Sequence, residues 1–356
     1  MTEFTCSQEI VSQARRNLNQ EVWDYLTGGA ESEMTMRRNR HALDSYAFLP
    51  RVLRDVSTID PSGTLLGHKL RIPVILAPIG SLQAIEKGGG ASSCRAAARF
   101  GTIPMLSSIT EPSLEDSAAS AEGPKMFQLY VRGDFEWIKA ILKRVKDAGY
   151  DALAVTVDSS HYGIRERQLM NRYLPPSVKA QKDRHLQAAI TWDLASRIRD
   201  EWGGRFMLKG VAHVEDAAMA VSRGVDAIYV SNHGGRQLDH CLGALDSLVE
   251  IAGAVKKKAE LIVDGGFLRG TDVIKAIALG ASAVAIGRLQ GWALAAGGEA
   301  ALFRSLELLE REIVNALGLL GVTSFAELSP AYVRKAEVIG PTHELSTFYH
   351  LRDRLV

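Results

Sequence analysis

His233 and Arg236 stand three positions apart in SNHGGRQLD, Ser231–Asp239. Those two residue types at that spacing can do acid–base chemistry on an anion. An imidazole takes up a proton near neutral pH, and a guanidinium grips a carboxylate through two parallel N–H donors. The paired glycines Gly234 and Gly235 let main chain approach a ligand closely. A lone histidine is more often structural, but one flanked by an arginine and two glycines is a much sharper signal. Lys209, in MLKG, lies on an apolar run. A desolvated ammonium needs an anionic partner, either an internal carboxylate or a bound ligand. Asp264-Gly265-Gly266 and, one unit later, Gly287-Arg288 offer what a ligand phosphate takes: backbone N–H groups, a helix N-terminus and an arginine. DGG alone is as readily a tight turn; the following GR favours phosphate.

These residues sit at the ends of short apolar runs. The runs are PVILAPIG (73–80), TIPMLSS (102–108), KMFQLYV (125–131), ALAVTVD (152–158), RFMLKG (205–210), AIYVSNHG (227–234), ELIVDGG (260–266) and AVAIGR (283–288). Continuous apolar runs of this length read as parallel strands buried on both faces. Segments of 3.6-residue period lie between them, among them 135–149, 214–224 and 271–280, and several close on glycine. Eight strand–helix units close a TIM (β/α)8 barrel. An open doubly wound sheet is the alternative, but no GxGxxG follows the first run. The expected fold is therefore an α/β TIM barrel over 71–298, with an N-terminal helical extension over 1–70 and a C-terminal helix and tail over 299–356, as one domain. The extension reads as helices at 7–18, 20–28 and 31–46, then a hairpin near 51–70. A last amphipathic helix spans 298–318. The long polar link from Asp158 to Trp192 reads as a lid or substrate-binding segment; Arg165–Pro176 is the richer part, and Lys179–His185 fits a mobile spacer.

The chain has 356 residues, 42 basic and 41 acidic, for a net charge of +1, and is 46% hydrophobic. It can bury a sizeable core, and near-neutral charge gives no electrostatic footprint for nucleic acid or an anionic membrane. Cys6, Cys94 and Cys241 are far apart and make no CxxC pair, so neither a disulfide framework nor a metal site is expected. MTEFTCSQEI does not read as a signal peptide, LRDRLV carries no SKL-type address, and no run approaches a membrane span. A cytoplasmic protein is the expectation.

The motifs WDYLTGGAE, LAPIG, FQLYV, TVD, LKG, SNHGGRQLD, DGG and IGR together resemble the FMN-dependent 2-hydroxy-acid oxidase and dehydrogenase family, over Trp23 to about Gly321. SNHGGRQLD is highly specific; the others are individually modest. The resemblance implies FMN as cofactor, a small 2-hydroxy acid as substrate, oxygen or another electron acceptor, and a homotetramer. It implies His233 as active-site base, Asp158 as its counter-charge, Arg236 and Arg165 as carboxylate ligands, and Tyr25 and Tyr130 as substrate hydrogen-bonders. Lys209 would face flavin N1–C2=O. Ser107, Gln128, Thr156 and Ser231 would line the ring, and Pro78, Ile79 and Gly80 would lie beside N5. Asp264, Gly266, Gly287 and Arg288 would take the ribityl chain and phosphate.

Four positions depart from the family pattern. Leu268 stands where an arginine usually reaches the phosphate, and Arg269 is the candidate substitute. Gly80 ends the usual PTA-like turn and implies more room beside the flavin. Ile109 replaces an aromatic residue, and Tyr162 occupies a position often held by an aliphatic one. Both suggest a changed side-chain pocket, with neutral repacking as the alternative. The lid is short, which implies a more open site. The expected reaction is oxidation of an L-2-hydroxy acid larger than glycolate to the 2-oxo acid, with hydrogen peroxide formed. A quinone- or carrier-linked dehydrogenase, a decarboxylating monooxygenase and a non-catalytic flavin-binding protein are the rival readings.

Overall fold

Small inward-facing residues let eight strands close on themselves. Ala152, Ala154, Ala227, Ala283 and Ala285 share the barrel interior with Ile75, Met105, Met126, Met207, Tyr229 and Ile262, all buried. In the computed structural model, which describes residues 4–179 and 185–351, the strands are β1 (Val74–Leu76), β2 (Met105–Ser107), β3 (Met126–Leu129), β4 (Ala152–Thr156), β5 (Arg205–Val211), β6 (Ala227–Val230), β7 (Glu260–Val263) and β8 (Ala283–Ile286). All neighbours pair in parallel, from β1 through β8 back to β2. A bridge between Leu76 and Pro104 closes the ring, with the Leu76 amide donating to the Ile103 carbonyl at 3.0 Å. The barrel expected from eight strand–helix units is the observed fold.

The helices packed outside bury apolar faces against the strands. They begin with α1 (Ser7–Asn17), α2 (Gln20–Thr27) and α3 (Met34–Asp44) in the extension, followed by α4 (Gly89–Phe100), α5 (Leu114–Ala119) and α6 (Phe135–Asp147). Then come α7 (Trp192–Trp202), α8 (Val214–Ser222), α9 (Ala244–Val255), α10 (Gly270–Ala278) and α11 (Arg288–Leu320). The helix expected at 298–318 is the second half of α11, which bends at the non-helical Gly297 and Gly298. The hairpin expected near 51–70 is confined to Gly63–Leu65 and His68–Leu70. Residues 51–62 instead run as turns, with Asp55 and Asp60 carboxylates accepting from the Ser57 and Ser62 amides. Leu65, Leu66 and Leu70 of the hairpin plug the bottom of the barrel. Residues 31–33 are not helical: α3 starts at Met34, and the chain leaves it at Tyr46–Phe48 to pair with Val333–Lys335.

The link after β4 is folded, not merely polar spacer. It carries short helices at Glu166–Met170, Pro176–Lys179 and His185–Ala188. Of the spacer Lys179–His185, residues 180–184 lie outside the described residues. Gln187 fastens the far end. Its carbonyl accepts from the Val131 amide and its amide donates to the Thr156 carbonyl, each at 2.8 Å. The lid is thereby tied to the tips of β3 and β4.

Candidate active site

SNHGGRQLD leaves β6 as a tight, strained turn. His233 has φ +58°, and its amide donates to Ser231 Oγ at 3.0 Å. Gly235, at φ +75°, leaves no space for a side chain: a β-carbon there would lie 2.5 Å from the Met36 nitrogen. That close approach seats the start of α3 on the turn. Asp239 completes the joint, its carboxylate accepting from the Thr35 amide at 2.7 Å, the Ser32 hydroxyl at 2.8 Å and the Met34 amide at 3.2 Å. These donors hold its carboxyl well below the usual range despite burial, the largest opposing influence. The motif thus docks the N-terminal extension as well as presenting the histidine.

His233 Nδ1 lies 2.9 and 3.1 Å from the two Asp158 oxygens, and Nε2 lies 3.3 Å from the Tyr130 hydroxyl. Burial pushes Asp158 up, but His233 and Lys209 outweigh it, and the carboxyl sits below its ordinary value. An ionised carboxylate only accepts, so Nδ1 carries the proton and Nε2 keeps a lone pair facing the pocket. Burial also pushes the imidazole below 6.5, against the pull of Asp158. The ring is therefore neutral near pH 7, with a counter-charge in place for the proton it can gain. Gly210 makes room for this pair. It bulges between β5 and β6 at φ +105°, and a β-carbon there would fall 2.4 Å from Asp158 Cγ.

Tyr25, Tyr130, Tyr162, Arg165, His233 and Arg236 line one pocket, which holds about 1170 Å³ of empty space including its open mouth. Arg236 is partly buried, and desolvation, followed by the like charge of Arg165, pushes its guanidinium below the ordinary range. Two arginines crowded in this way favour an anion between them. Arg165 Nε donates to the Arg236 carbonyl at 3.2 Å. Its Nη1 donates to the Tyr162 hydroxyl at 2.5 Å, and its guanidinium carbon lies 4.1 Å from that ring's centroid. Tyr25 donates to the Gly80 carbonyl at 2.8 Å. Gly80 does not open extra room: a β-carbon there would meet Ile109 Cδ1 at 2.7 Å, so the isoleucine fills the missing volume.

The strand tips at this end of the barrel test the cofactor. Ser107 donates to Gln128 Oε1 at 2.7 Å, which leaves Gln128 Nε2 without a partner. Thr156 Oγ1 and Asp264 Oδ1 are likewise buried and unpartnered. Each such atom costs roughly 1–3 kcal/mol when left unpaired. Three of them at strand tips around one rim of the barrel, with Lys209 and the Pro78–Gly80 backbone at the same rim, fit a polar heteroaromatic ring and its polyol chain. Lys209 Nζ donates to Ser231 Oγ at 3.3 Å and lies 3.9 Å from Asp264 Oδ2. The internal carboxylate, one of the two alternative partners expected for this lysine, is thus nearby, and Lys209 also lines the pocket.

The phosphate end departs from expectation. Arg269 does not reach it: its Nη2 ion-pairs with Glu312 at 3.0 Å, because Arg269 caps α10 and turns outward. The Leu268 and Arg269 amides are also engaged, donating to Asp272 at 3.0 and 3.1 Å. Arg288 remains. Its donors reach the neutral carbonyls of Thr27, Gly28 and Gly234 at 2.9–3.0 Å, which leaves its charge standing. Nothing lies within 4 Å of a β-carbon on Gly287, so the backbone there is open to a ligand. Gly266 stands across from it on the pocket wall. Several lining residues carry no signal in the barrel motifs. Leu26, Met36, Asn39 and Arg40 come from the extension, and Glu344 from the C-terminal segment. Asn39 is fixed by a reciprocal amide pair with Asn232, at 2.7 and 2.9 Å.

A model of the FMN-dependent dehydrogenase family matches residues 14–335. The chain belongs to that family. Glycolate oxidase 1 of Oryza sativa subsp. indica is 36% identical over 355 residues, covering 94% of this chain and 96% of that protein. L-lactate oxidase of Nostoc sp. is 37% identical over 347 residues, covering 90% and 95%. Among solved structures, mandelate oxidase with (S)-4-hydroxymandelic acid superposes with a TM-score of 0.88 at 34% identity, covering 94% of this chain and 100% of that one. A soluble mutant of the membrane-associated (S)-mandelate dehydrogenase from Pseudomonas putida gives 0.87 at 32%, covering 93% and 99%. This FMN-dependent dehydrogenase is thus an oxidoreductase acting on CH–OH donors, with FMN as its cofactor. No helix among the described residues is long and apolar enough to cross a membrane, and no metal-ligand cluster occurs among them.

Proposed function

We propose that the protein oxidises an L-2-hydroxy acid to the 2-oxo acid and passes the electrons to oxygen, forming hydrogen peroxide. One observation carries the reading: Nε2 of His233, beside the Tyr130 hydroxyl at 3.3 Å, faces a pocket that it shares with Arg165 and Arg236. Bound FMN supplies a two-electron acceptor. The chain supplies the rest. Arg236 and Arg165 fix the substrate carboxylate, so the 2-hydroxyl is presented to His233. Nε2 takes a proton from the substrate, and Asp158 stabilises the resulting imidazolium through Nδ1–H. Tyr130, 3.3 Å from Nε2, is placed to hold the substrate oxygen beside the base. Tyr25 holds the Gly80 carbonyl and sits under Arg236, whose guanidinium carbon is 5.2 Å from its ring. At the cofactor, Gln128, Thr156 and Asp264 would complete their unmet bonds on the ring and ribityl chain, with Arg288, Gly266 and Gly287 at the phosphate.

A side-chain pocket bounded by Ile109 and Tyr162 supports a substrate larger than glycolate. Relatives that act on lactate and mandelate favour the same range. A homotetramer in the cytoplasm belongs to this reading. Three unpaired cysteines agree with a reducing compartment, and light scattering tests the assembly. The deciding experiment reduces the purified holoprotein anaerobically with a panel of 2-hydroxy acids, admits oxygen and assays peroxide. Bleaching of the flavin followed by stoichiometric peroxide supports an oxidase. Bleaching with slow reoxidation selects a quinone- or carrier-linked dehydrogenase, and carbon dioxide release selects a decarboxylating monooxygenase. No bleaching by any acid overturns the reading.

A further inference from the structure

Tyr229 is a buried titratable group that the chemistry above leaves unused. Its ring lies wholly inside the barrel, and nothing in AIYV marks it as more than a strand residue. Its hydroxyl donates to Asp264 Oδ2 at 3.0 Å. Across the strand pair, in direct register, stands Lys209, whose Nζ is 4.9 Å from the centre of the tyrosine ring and 3.9 Å from the same Asp264 oxygen. Lysine and aspartate both line the pocket, while the tyrosine supports them from below. Burial, then the Asp264 charge, pushes the phenol well above 10, so it is a fixed donor at any working pH.

We propose that Tyr229 is a positioning residue that raises the reduction potential of the bound flavin by keeping Asp264 from closing on Lys209 beyond their 3.9 Å contact. The proposal rests on FMN occupying this pocket with its N1–C2=O edge toward Lys209. Uptake of two electrons and one proton leaves one negative charge on that edge, and the lysine ammonium stabilises it. An aspartate competing for the same ammonium weakens the effect. The tyrosine hydroxyl satisfies Oδ2 and draws density from the carboxylate. The electron-rich ring face also attracts the ammonium into a defined place. Asp264 Oδ1 has no protein partner and stays available to a ligand hydroxyl. Without the phenol oxygen, Oδ2 must turn to Lys209, the nearest cation, and the flavin edge loses part of its counter-charge.

The test compares Tyr229→Phe and Tyr229→Leu with the parent as holoproteins. The potential is read by equilibrium reduction with dithionite against a reference dye. Dithionite bypasses the substrate, so the result stands apart from which acid, if any, the enzyme takes. The two-electron reduction equilibrium should become about tenfold less favourable in both variants, which is about 30 mV lower for a two-electron couple. In an Asp264→Asn background the same Tyr229→Phe change should leave the potential unmoved, because the competing charge is gone. A lowered melting temperature with an unchanged potential in both variants overturns the proposal and makes Tyr229 a packing residue. An equal drop with and without Asp264 also overturns it, since the effect would not pass through the carboxylate.

Discussion

Ile109 occupies the space in which a side chain on residue 80 would have to stand: its Cδ1 lies 2.7 Å, and its Cγ1 2.8 Å, from the β-carbon position of Gly80. The two positions, both departures from the family pattern, are therefore one packing unit. Gly80→Ala should force the isoleucine off its rotamer at a cost of about 1–3 kcal/mol. Gly80→Ala/Ile109→Ala, which removes both clashing carbons, should recover part of that loss. Thermal melts of the two holoproteins check this; equal melting temperatures would show that Ile109 moves freely.

His233 is partly buried, neutral and backed by an ionised Asp158, and this fixes the sign of the pH dependence. Its pKa is lowered from 6.5, so the base form predominates above that value. kcat/KM should be flat around neutral pH and fall on the acid side, below pH 6.5; a separate alkaline fall would belong to Arg236, whose guanidinium is pushed down to about 9. His233→Asn should lower flavin reduction by substrate about 10²–10⁴-fold with FMN still bound. Stopped-flow reduction checks both, and an acid limb above pH 7 would contradict the neutral assignment.

Tyr162 holds Arg165 by a hydrogen bond and by its ring face. Tyr162→Phe keeps the ring and should raise KM slightly. Tyr162→Ala removes both and should raise it several-fold, as expected for about 0.5–2 kcal/mol of cation–π interaction, with kcat little changed. Oxalate, a small carboxylate probe read by its perturbation of the flavin spectrum, should weaken in parallel. A kcat loss without a change in oxalate affinity would place Tyr162 outside carboxylate binding.

The barrel and its chemistry were legible because they are written in local runs. Each apolar strand ends in its own polar tip, so His233, Lys209, Asp264 and Arg288 could be assigned to one rim without knowing any distance. What crosses between runs was not legible. Arg269 follows Leu268 directly and looks like its substitute, yet capping of α10 turns its side chain toward Glu312. Gly80 looks like added space until Ile109, on another strand tip, is seen to fill it. Asn39 and Arg40 lie on a helix with no strand motif, and their partners Asn232 and Asp272 are about two hundred positions away in sequence. Tyr229 reads as one more apolar strand residue, because only the neighbouring strands make its hydroxyl useful.

Arg40 yields the last prediction. Its Nη1 and Nη2 reach the two Asp272 oxygens at 2.8 and 2.7 Å, its Nη2 also reaches Asp44 at 2.7 Å, and its Nη1 holds the Gly266 carbonyl at 3.1 Å. Asp272 in turn takes the Leu268 and Arg269 amides. One buried ion pair therefore shapes the Gly266–Arg269 loop, beside the proposed phosphate site, and ties it to the extension. Asp272→Ala leaves a buried guanidinium without its main partner and should cost about 3–5 kcal/mol. It should also weaken FMN, since the Gly266–Arg269 backbone loses its template. Arg40→Met with Asp272→Leu removes both charges together and should cost far less stability than Asp272→Ala alone, yet FMN affinity should remain low. Denaturant titration and fluorescence quenching of FMN by the apoprotein separate the two effects. Recovery of FMN affinity along with stability in the double variant would show that the ion pair serves the fold alone.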